Sequence, residues 1–254
     1  MWNITLNTYR ELIRNKLFSL IGVFGITFIL ISFLLETLSL WEIQRMLFDF
    51  GLSFMELTGF MIVLVIGWQM IFREIEGKTI YLILSKPTPR SNILLGKFFG
   101  FSIALFWIIL LQTILLSGLL ILKWAPLDGI FFLAILGIYL KLLILLAVTL
   151  FFSTFVSPMV AMFSTIGVYM IGHGAYYIIE FAIRKNMILL GYIGKWVATI
   201  FPNFTALNLK NFVWTQAPLD IGNWLIGYGI WVLYLVCILL AGILLFRKKT
   251  FDNA

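Results

Sequence analysis

Six long apolar segments constrain the fold of this chain more than any other feature of its sequence. A spanning helix needs roughly 20 mostly apolar residues to cross about 30 Å of hydrocarbon. The segments that meet this requirement are Leu17–Leu38, Gly51–Phe72, Phe98–Leu122, Ile130–Val156, Met159–Ile179 and Trp224–Phe246. They lack the alternating pattern of β-barrel strands, and a helix satisfies its own backbone in lipid. The sequence therefore predicts an all-α, polytopic membrane protein with six transmembrane helices.

Composition supports a single membrane domain spanning residues 1–254. Hydrophobic residues make up 62% of the chain and charged residues 11%, against about 25% charged residues in soluble domains. This balance excludes a water-soluble enzyme and a disordered chain. The net charge of +7 is attributed to the flanks of spanning helices, so we expect no nucleic-acid partner. Because Cys237 is the sole cysteine, the chain can form no internal disulfide and no multi-cysteine metal site, and we expect no metal.

The distribution of positive charge predicts that both termini are cytoplasmic. Eleven Lys and Arg residues lie in the N-terminal segment, in the link between the second and third spans, and at the C-terminus. Six lie on the opposite side and one, Lys141, lies inside a span. Cytoplasmic loops carry the excess of Lys and Arg, and an even number of spans places the two termini on the same side.

Two further segments are expected to lie at the membrane surface. In residues 1–16, Trp2, Leu6, Tyr9 and Ile13 recur at helical spacing, with asparagine and arginine on another face. This pattern is typical of an amphipathic interfacial helix in contact with membrane lipid. Residues 180–223 are too apolar for a solvated loop, so we expect short interfacial or re-entrant helices on the outer face. A tight inner hairpin at Ser157 and Pro158 joins the fourth and fifth spans.

The link between the second and third spans is the most informative segment. Residues 73–91 carry charges at both ends and an apolar stretch between them, which suits a short cytoplasmic coupling helix that docks onto a soluble partner. Pro87 and Pro89 should end that helix, and Ser91 is the expected N-cap of the next one, which could run to Leu122. The tripeptide Gly77-Lys78-Thr79 is not a phosphate-binding loop, since that motif needs glycine where Phe72 stands. We therefore expect no bound cofactor and no enzymatic activity in this chain.

This link resembles the coupling segment of type-2 ABC exporter permeases. The matching residues are Arg73, Glu74, Glu76, Gly77, Thr79, Leu82, Leu84, Ser85, Pro87, Arg90, Gly96 and Lys97. The interfacial helix, six spans, inner hairpin and outer segment are also similar. The resemblance implies that two permease subunits pair; we favour a homodimer over a heterodimer, an alternative that the sequence leaves open. The resemblance also implies that each copy docks a separate ABC ATPase through the residues from Arg73 to Arg90, that ATP and Mg²⁺ bind that partner, and that the membrane is a bacterial inner membrane.

Polar residues inside the spans form a second candidate site. A central lysine costs about 2.5–3.5 kcal/mol on insertion scales, so Lys141 should face the interior and find a partner, for which Glu56 is the candidate. The pair could be a structural ion pair or part of a substrate path or gate. His173 is read as a hydrogen-bonded packing residue, and Gln69 and Gln112 are expected to hydrogen-bond between helices.

Two functions remain open on the sequence. The first is the permease subunit of an ATP-driven exporter, which could instead move lipid or support a periplasmic assembly. The alternative is an ion-coupled secondary transporter or channel that uses Glu56 and Lys141 and needs no ATPase. Such transporters often show internal repeats and broken helices, and neither is evident here. The sequence does not identify a substrate.

Overall fold

A computed structural model describes residues 1–36, 43–70, 72, 89–125, 127–185, 187–205, 207–209 and 221–248. These ranges are helices and their connections, and no strand occurs within them. The elements are α1 (Trp2–Arg14), α2 (Lys16–Glu36), α3 (Ile43–Gly67), α4 (Arg90–Leu122), α5 (Gly129–Ser153), α6 (Pro158–Arg184), α7 (Ile188–Ile200) and α8 (Ile221–Lys248).

Five of these helices, α3, α4, α5, α6 and α8, are long and apolar enough to cross a membrane. A sixth span is present if α1 and the adjoining part of α2 count together, although they are bent by 65°. The predicted all-helical membrane architecture is thus confirmed with five to six candidate spans. It follows from the requirement that every backbone group in lipid be satisfied within its own segment.

Helix α5 is the central helix of the bundle. It packs against α3, α4, α6 and α8, and most of its residues are buried. The outer helices instead expose large apolar side chains such as Trp107, Ile114 and Leu233. A membrane protein can keep such side chains on its surface because lipid tails are as apolar as they are. The core therefore lies around α5, and polar groups on this helix are shielded from water.

The bundle has two distinct ends. An added Cβ at Gly242 of α8 would lie 3.4 Å from Leu94 of α4 and 3.7 Å from the backbone of Phe151 of α5. This contact places the C-terminal part of α8 beside the start of α4 and the end of α5. We call this end of the bundle the terminal end, because α1 also packs there. We call the opposite end the far end.

Helix α3 begins eight residues earlier than the sequence predicts, at Ile43 rather than Gly51. The added turns include an i,i+4 pair in which Arg45 Nε lies 3.7 Å from Asp49 Oδ2, an arrangement that supports a helix in polar surroundings. The longer helix changes the relative depth of the candidate pair. Glu56 lies about 20 Å from the start of α3, and Lys141 about 18 Å from the start of α5, at 1.5 Å per residue.

Helix α4 begins at Arg90, so the predicted N-cap at Ser91 is wrong. Pro89 is the N-cap and has an extended backbone with φ −63° and ψ 139°. Proline fixes φ near this value and keeps the preceding chain out of the helix. The helix has 33 residues and a length of about 50 Å, which exceeds the hydrocarbon thickness.

Helix α1 packs its small polar face against the start of α4. Thr5, Thr8 and Leu12 are buried, whereas Trp2 and Ile13 of the predicted apolar stripe are exposed. The exposed stripe agrees with the predicted contact to membrane lipid, but the threonine face was not foreseen. An added Cβ at Gly100 would lie 2.6 Å from the Thr5 carbonyl oxygen, so only glycine permits this close approach.

The remaining connections follow the sequence signals. Ser157 has an extended backbone and Pro158 occupies the first turn of α6, where proline is favoured, so the predicted hairpin between the fourth and fifth spans is present. Residues 188–200 form the short apolar helix α7, which packs along α6. Its position within a membrane stays a prediction. Within the predicted outer segment, residues 186, 206 and 210–220 lie outside the described residues.

Candidate functional site

A buried ion pair joins two spanning helices at the middle of the bundle. Lys141 Nζ on α5 lies 3.1 Å from Glu56 Oε1 on α3, and the side chains are 1% and 5% exposed. The sequence predicts this contact, but it places Glu56 nearer the surface than Lys141. The early start of α3 brings the two groups to a similar depth, so the lysine reaches its partner directly.

A third helix contributes His173 to the same carboxylate. His173 Nε2 on α6 lies 3.2 Å from Glu56 Oε1, and its side chain is 27% exposed. The other ring nitrogen, Nδ1, lies 3.1 Å from the Tyr169 carbonyl oxygen one turn earlier. The Tyr169 ring lies against the His173 ring, with centroids 4.4 Å apart. Glu56 therefore receives contacts from Lys141 on α5 and His173 on α6, and we call Glu56, Lys141, Tyr169 and His173 the mid-bundle cluster.

Aromatic packing holds the α6 members of the mid-bundle cluster in place. The Tyr169 ring stacks on Phe60 of α3 with centroids 4.1 Å apart. The His173 ring lies 5.4 Å from the ring of Phe204, whose backbone N–H donates to the Gly172 carbonyl over 3.0 Å. An added Cβ at Gly172 would meet Phe204 at 2.4 Å. Gly172 thus allows the chain after α7 to cover His173 from one side.

A cavity of about 490 Å³ gives access to the mid-bundle cluster. Its wall combines carboxylate, imidazole, hydroxyl and amide groups with aromatic and aliphatic side chains. The lining residues are Asp49, Phe50, Ser53, Phe54, Glu56, Leu57, Tyr169, His173 and Asn208. Apolar pockets with a few convergent polar groups are the usual form of a small-molecule site. The lysine is buried and does not line the cavity. The accessible polar groups of this wall include Asp49 and Ser53 on α3 and His173 on α6.

The contact of His173 with Glu56 was not predicted. From its local sequence this histidine is a packing residue, and nothing near it in the sequence indicates a contact with a carboxylate 117 positions away. The available signal is the spacing of Tyr169 and His173, which are one helical turn apart and face the same side. Among the described residues, no three His, Cys, Asp or Glu side chains come close enough to hold a metal ion.

The predicted docking residues fall almost entirely outside the described part of the chain. They are Arg73, Glu74, Glu76, Gly77, Thr79, Leu82, Leu84, Ser85 and Pro87. Arg90 begins α4, and its side chain is likewise outside the description. The structure describes the residues that flank this segment, Met70 before it and Pro89 after it. We call these flanking residues the base of the link.

A hydrogen bond from a buried lysine joins the two sides of that base. Lys97 of α4 is 3% exposed, and its ammonium group donates a hydrogen bond to the Met70 carbonyl oxygen. Next to it, an added Cβ at Gly96 would lie 2.8 Å from Ile4 of α1. Met70, which follows α3, and the start of α4 therefore meet in one compact junction, which also contacts α1.

The fold and its polar sites define a polytopic helical membrane protein with charged groups enclosed between its spans. A family model described as ABC-2 family transporter protein matches residues 2–250, and the chain belongs to this family. The resemblance to type-2 ABC permeases is thereby confirmed, and the family membership implies an ABC transporter permease, a membrane transport component. No curated protein matches the chain in a sequence comparison.

Proposed function

We propose that this protein is the permease subunit of an ATP-driven exporter, acting as a pair of identical copies that dock separate ABC ATPases. The observation that carries the proposal is the family match over residues 2–250. The transported material is a substrate or lipid, and its chemistry is left open. ATP and Mg²⁺ bind the partner ATPase, since the one phosphate-loop-like tripeptide of this chain lacks the glycine that the motif needs.

The junction below the link supports a mechanical role for residues 73–91. Force applied to the link reaches α3 through Met70 and α4 through Lys97, which are hydrogen-bonded to each other. The contacts of Gly96 and Gly100 pass the same displacement to α1. Rigid-body motion of packed helices is a common form of switching between two states. In this proposal, ATP binding and hydrolysis by the partner move the junction and rearrange the paired bundles.

The orientation proposed for the chain places the junction in the cytoplasm of a bacterial cell, at the inner membrane. The support is the excess of Lys and Arg at the termini and in the link. The mid-bundle cluster then lies near the middle of the permease, and the part of its cavity lined by Asp49, Phe50 and Ser53 lies towards the outer surface. Glu56 and Lys141 are proposed to form part of the wall that opens during transport, with the structural ion pair as the alternative role.

Charge reversal in the link tests the proposal. The double variant Glu74→Lys, Glu76→Lys removes the acidic start of the link, and we expect association with the cognate ABC ATPase to weaken at least tenfold, or about 1.4 kcal/mol. Co-purification and ATPase stimulation in lipid nanodiscs measure the effect. The matched control is Glu180→Lys, an exposed glutamate paired with Arg184 on α6, which should leave association unchanged.

Two results would contradict the proposed function. One is unchanged association and stimulation in the double variant while the control behaves identically. The other is substrate movement by the purified permease alone that follows an ion gradient and ignores ATP, which would favour the ion-coupled transporter or channel.

A further inference from the structure

The hydrogen-bond directions around His173 determine where a proton must lie. A carbonyl oxygen only accepts, so the contact of 3.1 Å between Nδ1 and the Tyr169 carbonyl requires a hydrogen on Nδ1. In neutral histidine the other nitrogen, Nε2, is then an acceptor. Yet Nε2 lies 3.2 Å from a carboxylate oxygen of Glu56, which is also an acceptor when ionised.

From this geometry we infer that the contact between His173 and Glu56 is a proton-binding site reached from the cavity beside it. Two acceptors at hydrogen-bond distance repel unless one proton lies between them, either on Nε2 or on the carboxyl group. The ammonium of Lys141 donates to Glu56, which favours the carboxylate and places the proton on Nε2. This inference is independent of the proposed function, because it concerns the permease alone.

The other charged groups near the contact do not replace this proton. Lys141 on α5 contacts the same carboxylate oxygen of Glu56 as His173 does. Asp49 lines the same cavity from α3 and pairs with Arg45 over 3.7 Å. Asn208 is uncharged. The side chain of His173 is 27% exposed, in contrast to Glu56 and Lys141, so the proton can exchange with water in the cavity without crossing the core.

Proton loss would change how α3 and α6 pack. With the proton removed, a carboxylate oxygen and the Nε2 lone pair face each other in a site of low polarity, where like partners are costly. The contact between α3 and α6 is therefore weaker when the proton is absent.

The single histidine of the sequence allows a direct test. In the full-length permease labelled with [15N]histidine and placed in lipid nanodiscs, the nitrogen shifts report which ring atoms carry hydrogen. We expect Nδ1 to be protonated, with Nε2 either protonated as well or accepting a strong hydrogen bond. A neutral ring with hydrogen on Nε2 alone would overturn the inference, and this measurement needs no variant.

Two variants test the coupling to Glu56. In Glu56→Gln the amide can donate to Nε2, so we expect a neutral ring with hydrogen on Nδ1 alone and a change in the nitrogen shift of Nε2 relative to the wild type. Glu180→Gln, which changes an exposed carboxylate on the same helix as His173, should keep the wild-type nitrogen shifts. Identical histidine nitrogen shifts in Glu56→Gln and the wild type would refute a shared proton.

Discussion

Lys141 lies at the centre of the most buried helix and depends on one carboxylate. Burial of its ammonium group carries a free-energy cost because the charge loses its contact with water. The hydrogen bond to Glu56 over 3.1 Å offsets part of this cost. A buried ion pair of this kind contributes little relative to apolar residues of the same shape. Removing one member is different, because the remaining charge stays buried without compensation.

Substitution of the buried cation should therefore destabilise the protein. We expect Lys141→Met to lower the free energy of unfolding by about 3 kcal/mol, the lower end of the range for broken buried pairs, since His173 still contacts Glu56. Adding Glu56→Gln to this variant should recover part of the loss. Denaturant unfolding in detergent micelles measures both values.

The exposed pair between Arg184 and Glu180 is the control for this prediction. Its side chains are 74% and 41% exposed, and exposed pairs contribute about 0–1 kcal/mol. Arg184→Met should thus change stability little. If Lys141→Met behaved like Arg184→Met, the buried pair would not stabilise the fold, and the structural reading of Lys141 and Glu56 would fail.

Gln112 departs from the expectation that it bonds between helices. Its side chain is fully buried, and neither amide atom has a hydrogen-bond partner within the described ranges. The amide nitrogen faces Gly25 of α2, where an added Cβ would lie 2.2 Å away. A buried amide without a partner costs about 1–3 kcal/mol in protein mutational data.

Replacing this amide with an apolar group should not destabilise the protein. We expect Gln112→Met, which keeps an unbranched side chain, to leave the free energy of unfolding unchanged or to raise it by about 1 kcal/mol. Thr149→Val is the matched control, since the buried Thr149 hydroxyl lies 3.1 Å from that of Thr165, and its loss should cost about 1 kcal/mol. A clear loss of stability in Gln112→Met would mean that the amide is hydrogen-bonded in the membrane.

At the scale of elements, α1 is held against α4 by backbone proximity. An added Cβ at Gly100 would lie 2.6 Å from the Thr5 carbonyl oxygen and 2.7 Å from Thr8 Cβ. The first obstacle is backbone, so a side-chain rotation cannot relieve it. Any larger residue at this position must move α1 as a unit.

Gly100→Ala should accordingly loosen the interfacial helix. We expect a loss of about 1–3 kcal/mol, typical of overpacked contacts, and faster hydrogen exchange in α1. Gly118→Ala is the control on the same helix, where nothing lies within 4 Å of the added Cβ, and alanine there should be neutral or slightly stabilising. Equal hydrogen exchange of α1 in the two variants would contradict the packing argument.

At the scale of the whole molecule, the charge distribution predicts a single orientation in the membrane. In a Cys237→Ser background, which removes the exposed native thiol, Asn7→Cys on α1 and Met187→Cys before α7 place exposed thiols at opposite ends of the bundle. An impermeant thiol reagent should label Met187→Cys in intact cells and Asn7→Cys only after permeabilisation. The reverse pattern would overturn the cytoplasmic assignment of the termini.

The sequence alone determined the fold class, the approximate positions of the spans and the resemblance to type-2 ABC permeases. These properties depend on segment length and polarity, which water and lipid impose on each segment separately. The partner of Lys141 was also predictable, because a charge inside a span needs a counter-charge and Glu56 is one of few candidates.

Only the tertiary structure decided how these parts meet. The start of α3 at Ile43 depends on a turn stabilised by Arg45 and Asp49, and it sets the depth of Glu56. The approach of His173 to that carboxylate requires α6 to pack on α3, with Gly172 admitting the chain after α7. Such contacts join residues far apart in the sequence, so their geometry follows from the packing of whole helices, which no local pattern encodes.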